Sequence, residues 1–115
     1  MLKDLLLQQR LTENIIDECF QKAQRELDKI ACFRIKLKRN ASDVRYGCTD
    51  GFFYEEIQDR HEVRRRFFGS DPEALVSHLV DMAIENYAFR HRKDMQDGEN
   101  IISRCYSYLG TDEEA

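Results

Sequence analysis

Between Ala31 and Phe68 the chain reads ACFRIKLKRNASDVRYGCTDGFFYEEIQDRHEVRRRFF, short β-branched and aromatic runs separated by polar turns. Helix-patterned sequence lies on both sides of this run. That arrangement confines the fold to α+β, a small antiparallel sheet of three to four strands with helices packed on it. Phe33, Ile35 and Leu37 alternate with Arg34, Lys36 and Lys38, the clearest strand period in the sequence. Arg39 to Asp43 is a polar loop. Val44, Tyr46 and Cys48 mark one side of a second strand, and Thr49-Asp50-Gly51 has hairpin-turn chemistry because Gly tolerates a positive φ. The third strand, Phe52 to Gln58, sets Phe53, Glu55 and Ile57 against Phe52, Tyr54 and Glu56. Gln58 to His61 turns into the fourth, Glu62 to Phe68, where Val63, Arg65 and Phe67 oppose Arg64, Arg66 and Phe68. Apolar groups on both faces of these two strands favour helical cover on both sides of the sheet, although an exposed aromatic patch awaiting a partner would read the same.

The flanking helices carry their own signals. Thr12 is the expected cap of a helix running to about Lys29, with Ile16, Phe20, Ala23, Leu27 and Ile30 on one stripe and Ile15 and Cys19 beside it. Asp17, Glu18, Lys22, Arg25 and Asp28 mostly face away, so this is a core-facing amphipathic helix. Ser70-Asp71-Pro72-Glu73 predicts a second helix start, with Pro suited to the first turn and acids to the positive end of the dipole. Its apolar face holds Leu75, Val76, Leu79, Val80, Met82, Ala83 and Tyr87. Arg90, Arg92 and Lys93 are expected near a C-terminus at about Met95, where Gln96-Asp97-Gly98 breaks the helix. A short last helix is expected over Glu99 to Leu109, packing Ile101, Ile102, Cys105, Tyr106 and Leu109 and ended by Gly110. Residues 1–11 and 111–115 are expected to fray around a single domain spanning 1–115.

Composition excludes several classes. The chain has 115 residues, 42% hydrophobic and 35% charged, with one Pro and five Gly, which suits one globular domain with a charged surface. No apolar stretch approaches the roughly 20 residues that a bilayer requires. The opening MLKDLLLQQR is a brief Leu cluster broken by charges, so it is not expected to act as a secretory signal. Cys19, Cys32, Cys48 and Cys105 lack CxxC spacing and a matching His cluster, which argues against zinc. Each lies on or beside an apolar position, so buried reduced thiols and a cytosolic location are expected.

No motif for catalysis stands on its own. A Cys–His pair drawn from the four cysteines and His61, His78 or His91 has no local signature, and His78 reads as a boundary residue beside Leu75, Leu79 and Met82. Glu55 with Glu56 reads as a solvated face, and Asp112 to Glu114 as a solvated tail. GxxxxGK[ST], GxGxxG and HExxH are all absent. The expectation is a non-enzyme with no catalytic residue, cofactor or metal ligand. A nucleic-acid reading places Arg34, Lys36, Lys38 and Arg39 beside Arg64, Arg65 and Arg66 on neighbouring strands, with Phe52 or Tyr54 stacking on bases. The net charge of −4 opposes it.

Charge is distributed unevenly. Residues 1–31 hold five basic and six acidic groups, residues 32–66 nine and six, and residues 67–115 four and ten. The C-terminal part is therefore net −6, a field able to orient a charged partner.

From Gly51 onward, GFFYEEIQDRHEVRRRFFGSDPEALVSHLVDMAIENYAFRHR resembles the immunity proteins of bacterial polymorphic toxin and contact-dependent inhibition systems, nearest the family numbered sixty-three. The resemblance lies in the aromatic strand at Phe53-Tyr54-Glu55, the turn at Asp59-Arg60 and the Arg-bearing strand after it. It continues through the helix start Asp71-Pro72-Glu73-Ala74-Leu75, the mid-helix Asp81-Met82-Ala83, then Tyr87 and Arg90, and a short final helix. It implies a cytosolic, non-enzymatic protein that binds one cognate toxin domain, commonly a nuclease, and blocks its active site. A nuclease presents a cationic cleft, which an acidic surface can occupy. Asp81 and Glu85, four apart and off the apolar stripe, project together, and Asp94, Asp97 and Glu99 cluster beyond the helix. These five are the expected toxin-facing residues of a monomer or weak homodimer that touches neither membrane nor nucleic acid. A small acidic secretion chaperone is the alternative, requiring a dimer seam and an effector groove.

Overall fold

The apolar stripe of the first helix is its buried face: Ile16, Cys19, Phe20, Ala23 and Leu27 are all in the core, and Ile30 follows just past the helix end. The computed structural model describes the backbone of residues 2–39 and 43–110, with side chains from residue 12 onward within those ranges. The elements in order are α1 (Leu2–Asp28), β1 (Val44–Thr49), β2 (Phe52–Gln58), β3 (Val63–Gly69), α2 (Pro72–His91) and α3 (Met95–Gly110). This is the expected α+β fold, with a three-stranded antiparallel sheet of order β1-β2-β3. The α1 backbone is helical from Leu2, so Thr12 lies within the helix and is not its cap. Leu and Gln, both good helix formers, carry it across that segment. The tail at 111–115 lies outside the described residues, as do 40–42 of the expected polar loop.

The two-residue hairpin between β1 and β2 follows from Asp50 at φ 53° and Gly51 at φ 83°. Both central residues are left-handed, the geometry whose twist matches the flanking strands. β2 pairs in register with β1 from Val44 opposite Ile57 to Thr49 opposite Phe52. A bulge between Phe53 and Tyr54 offsets β3, placing Gly69 opposite Phe53 and Phe67 opposite Tyr54. One sheet face therefore carries Tyr46, Cys48, Phe53, Glu55 and Phe68, and α1 and α2 pack on it. The other face carries Phe52, Tyr54, Val63, Arg65 and Phe67.

Helical cover on both sides is not what forms. Phe52 is 50% exposed, Val63 57% and Phe67 54%, so the outer face is open. The buried apolar faces of the helices are all consumed on one side, because α1 and α2 also pack against each other and α3 packs on α2, while Ile15, Phe89 and Met95 stay exposed. In α2, Leu75, Val76, Leu79, Val80, Ala83, Ile84 and Ala88 are buried.

Phe33 to Lys38, the clearest alternation in the sequence, is not a strand of the sheet. The segment is extended, with Ile35 buried and Phe33 and Leu37 half-buried, but among the described residues it has no strand neighbour. Gln24 of α1 takes that role. Its Nε2 donates to the Ile35 carbonyl at 3.0 Å, and its Oε1 accepts from the Leu37 amide at 2.9 Å. One side-chain amide thus supplies the donor and acceptor that a neighbouring strand would offer. Consequently Arg34, Lys36, Lys38 and Arg39 do not sit beside Arg64, Arg65 and Arg66 on adjacent strands. Arg39 pairs instead with Asp17 of α1 at 2.7 Å.

The boundaries of α2 and α3 also differ from expectation. Asp71 caps α2 by accepting from the Glu73 amide at 3.0 Å, with Pro72 in the first turn, as the sequence predicts. The helix stops at His91 rather than Met95, and Gln96-Asp97-Gly98 is the opening turn of α3 rather than a break. Asp94 Oδ1 accepts from the Asp97 amide at 2.8 Å, and Asp97 Oδ2 accepts from the Lys93 amide at 2.8 Å. These are N-terminal capping bonds, and they start a helix as effectively as Asp and Gly end one. Gly98 is buried where a Cβ would approach Arg92 Cδ to 3.3 Å.

Gln24→Ala strips two backbone groups of their partner and is expected to cost about 1–3 kcal/mol in denaturant unfolding. Gln21→Ala, on the exposed face of the same helix, should shift stability by no more than ~0.5 kcal/mol. Equal effects of the two would contradict the role given to Gln24.

Candidate partner-binding surface

Helix α2 sets Asp81 and Glu85 one turn apart on its exposed side, clear of the buried set. Helix α3 brings Tyr106, 39% exposed, against them: its hydroxyl donates to Asp81 Oδ1. The phenol is pushed above its ordinary range, first by burial, then by the bond to Asp81 and the charges of Asp81 and Glu85. Glu99 is exposed and lies seven residues before Tyr106, hence on the same side of α3. Asp81, Glu85 and Glu99 thus share a seam with an aromatic ring among them. No ion pair among the described residues engages any of the three. Asp94 and Asp97 stand at the start of α3, where each spends a carboxylate oxygen on the capping bonds. Asp81 and Tyr106 together also line a groove of about 610 Å³ that contains Lys22, Arg25, Glu26 and Glu73. Lys22 is held by Glu73 at 3.0 Å.

The open sheet face is a second surface. Tyr54 lies across Gly47, where an added Cβ would meet the phenol oxygen at 2.4 Å, so only glycine permits the ring that position. The Arg65 guanidinium stacks 4.5 Å from the Tyr54 ring and bonds Glu56 at 2.9 Å, while Phe67 lies 5.8 Å from Tyr54. Glu56 is therefore a paired, half-buried acid.

Glu55 departs furthest from the solvated face expected of it. It is 3% exposed and sits at the centre of β2 under α2. Tyr46 Oη and His78 Nε2 both donate to its Oε2, each at 2.8 Å. The Phe68 ring packs on the His78 ring at 4.2 Å, and the Phe20 ring meets Tyr46 edge-on at 5.4 Å. His78 is half-buried at the boundary, as its place beside the apolar stripe predicts. A sequence signal for Glu55 did exist, since its strand period puts it on the same face as the apolar Phe53 and Ile57.

The cysteines are all free; Cys19 and Cys105 are buried as expected, Cys48 is half-buried and Cys32 is exposed. Burial pushes the Cys105 thiol up to about 11. Among the described residues no group of three or more His, Cys, Asp or Glu is placed to hold a metal ion. No described helix is long and apolar enough to cross a membrane. No protein-family model, curated protein or solved structure matches the chain.

Tyr46 supplies a pH test. Burial, then the bond to Glu55, pushes its phenol well above the ordinary value of 10.0. The folded state keeps a proton that the unfolded chain releases above about pH 10, so stability is present below that pH and falls as pH rises. The decline begins nearer pH 9 because Cys105 behaves in the same sense. Tyr46→Phe should lower stability at pH 8 by about 1 kcal/mol and flatten the decline above pH 10 in urea titrations. A decline as steep as that of the parent chain would count against this assignment.

Proposed function

We propose that this chain is an immunity-type protein that binds a cationic toxin domain of the nuclease class and neutralises it by occlusion, not by chemistry. The observation that carries the reading is the seam between α2 and α3: Asp81, Glu85 and Glu99 are exposed, unpaired with cations and grouped with Tyr106. Aromatic residues anchor interfaces because they bury a large area at low entropic cost, and surrounding charges steer the encounter. Residues 67–110, which include both helices of the seam, hold seven acidic groups against four basic ones, and this excess of negative charge supports the reading. The strand and helix pattern from Gly51 to Arg92, which resembles the immunity family, supports the same reading. Four free thiols accord with a reducing compartment. The nucleic-acid alternative draws less support, since the cations of residues 34–39 lie off the sheet.

The proposal requires a cognate toxin domain, to be sought in the reading frame immediately upstream, and the test uses that domain. Asp81→Lys, Glu85→Lys and Glu99→Lys together should slow association by about tenfold or more at low salt, with the melting transition retained. Asp94 and Asp97 are left intact because they cap α3. An on-rate equal to that of the parent chain overturns the assignment.

A further inference from the structure

A groove of about 410 Å³ opens between α1, residues 37–39, the start of β1 and α2, on a side of the molecule that the acidic seam does not use. Its inner wall is Phe20, Leu79 and Ala83, all buried, with Met82 and Tyr46 half-buried beside them. The volume falls within the range of about 300–1,000 Å³ typical of small-molecule sites. Its exposed rim is cationic. Lys38, Arg39 and Arg90 stand there against one acid, Asp43, in a chain whose net charge is −4.

The rim cations are not equivalent. Arg39 is fixed by Asp17 at 2.7 Å and by stacking 5.0 Å over the Phe20 ring. Lys38 and Arg90 enter none of the ion pairs among the described residues, and Arg90 makes only a long bond to the Asn86 carbonyl, 3.4 Å. A carboxylate is the natural partner of a free guanidinium, and Lys38 lines the same groove. Deeper in, the wall offers apolar carbon and the thioether of Met82, a side chain that adapts to irregular chains. Among the buried and half-buried wall residues named, the polar side-chain oxygen is Tyr46 Oη, already committed to Glu55 and Met82 Sδ, while Asn86 stands at the exposed edge. A charged or hydroxylated far end would therefore be desolvated without a partner.

We propose that this groove binds an unbranched medium-chain carboxylate, its head group on Arg90 and Lys38 and its tail against Met82, Leu79 and Phe20. The site is independent of the toxin-facing seam.

The probe is decanoate, titrated below its micelle threshold into the full chain labelled with ¹³C at the methionine methyls. The Met82 methyl should shift saturably with one-to-one stoichiometry, while that of Met95, 74% exposed on α3, stays in place. Lys38→Glu with Arg90→Glu, both exposed positions that leave the core intact, should weaken binding by about tenfold or more. Decanol should bind about tenfold more weakly than decanoate, and decanedioate should leave Met82 unmoved. Decanol binding as tightly as decanoate, or an affinity untouched by the charge reversal, overturns the proposal. So does a non-saturating shift shared by both methyls.

Discussion

Glu55 is an acid placed where the sheet meets α2, with Tyr46 from β1 and His78 from α2 both donating to one of its oxygens. A buried carboxylate is costly unless its hydrogen bonds are supplied, and here they come from two different elements. The register of β1 on β2 and the position of α2 over the sheet must therefore agree for the cluster to form. Slipping β1 by one residue would turn Tyr46 to the outer face and leave Glu55 with a single donor. The contact thus selects one arrangement of sheet and helices among those that hydrophobic burial alone would tolerate.

That arrangement explains which surfaces are left over. With α1 and α2 both committed to the inner face, the outer face keeps its aromatics in the open, organised by Tyr54 lying over Gly47 and Arg65 stacking on Tyr54. With α3 packed on α2, the exposed acids of α2 are brought beside Tyr106. The acidic seam is thus a product of tertiary packing between two helices, on top of the local spacing of Asp81 and Glu85.

Much of this was legible in the residues. The bounds of β2, the Asp50-Gly51 hairpin and the Asp71-Pro72 helix start rest on local chemistry that tertiary structure had no cause to override. The alternation of Phe33, Ile35 and Leu37 was misleading for a physical reason: period two reports burial on one side of an extended chain, not the identity of its hydrogen-bond partner. Gln24 shows that a side chain can be that partner. The Asp97-Gly98 pair was ambiguous because the same residues end helices and open them. At the seam, Asp81 and Glu85 were legible as neighbours on one helix. Tyr106 was not legible as their companion, since nothing in the order of residues says which turn of α3 meets which turn of α2.

We propose that partner recognition belongs to the α2–α3 seam rather than to the open sheet face. Amide hydrogen exchange of the chain, alone and saturated with the toxin domain that the proposed function requires, separates the two surfaces directly. The account predicts slowed exchange centred on residues 81–85 and 99–106, with β1, β2 and β3 unchanged. Protection confined to the strands, with the seam exchanging as in the free protein, would contradict it.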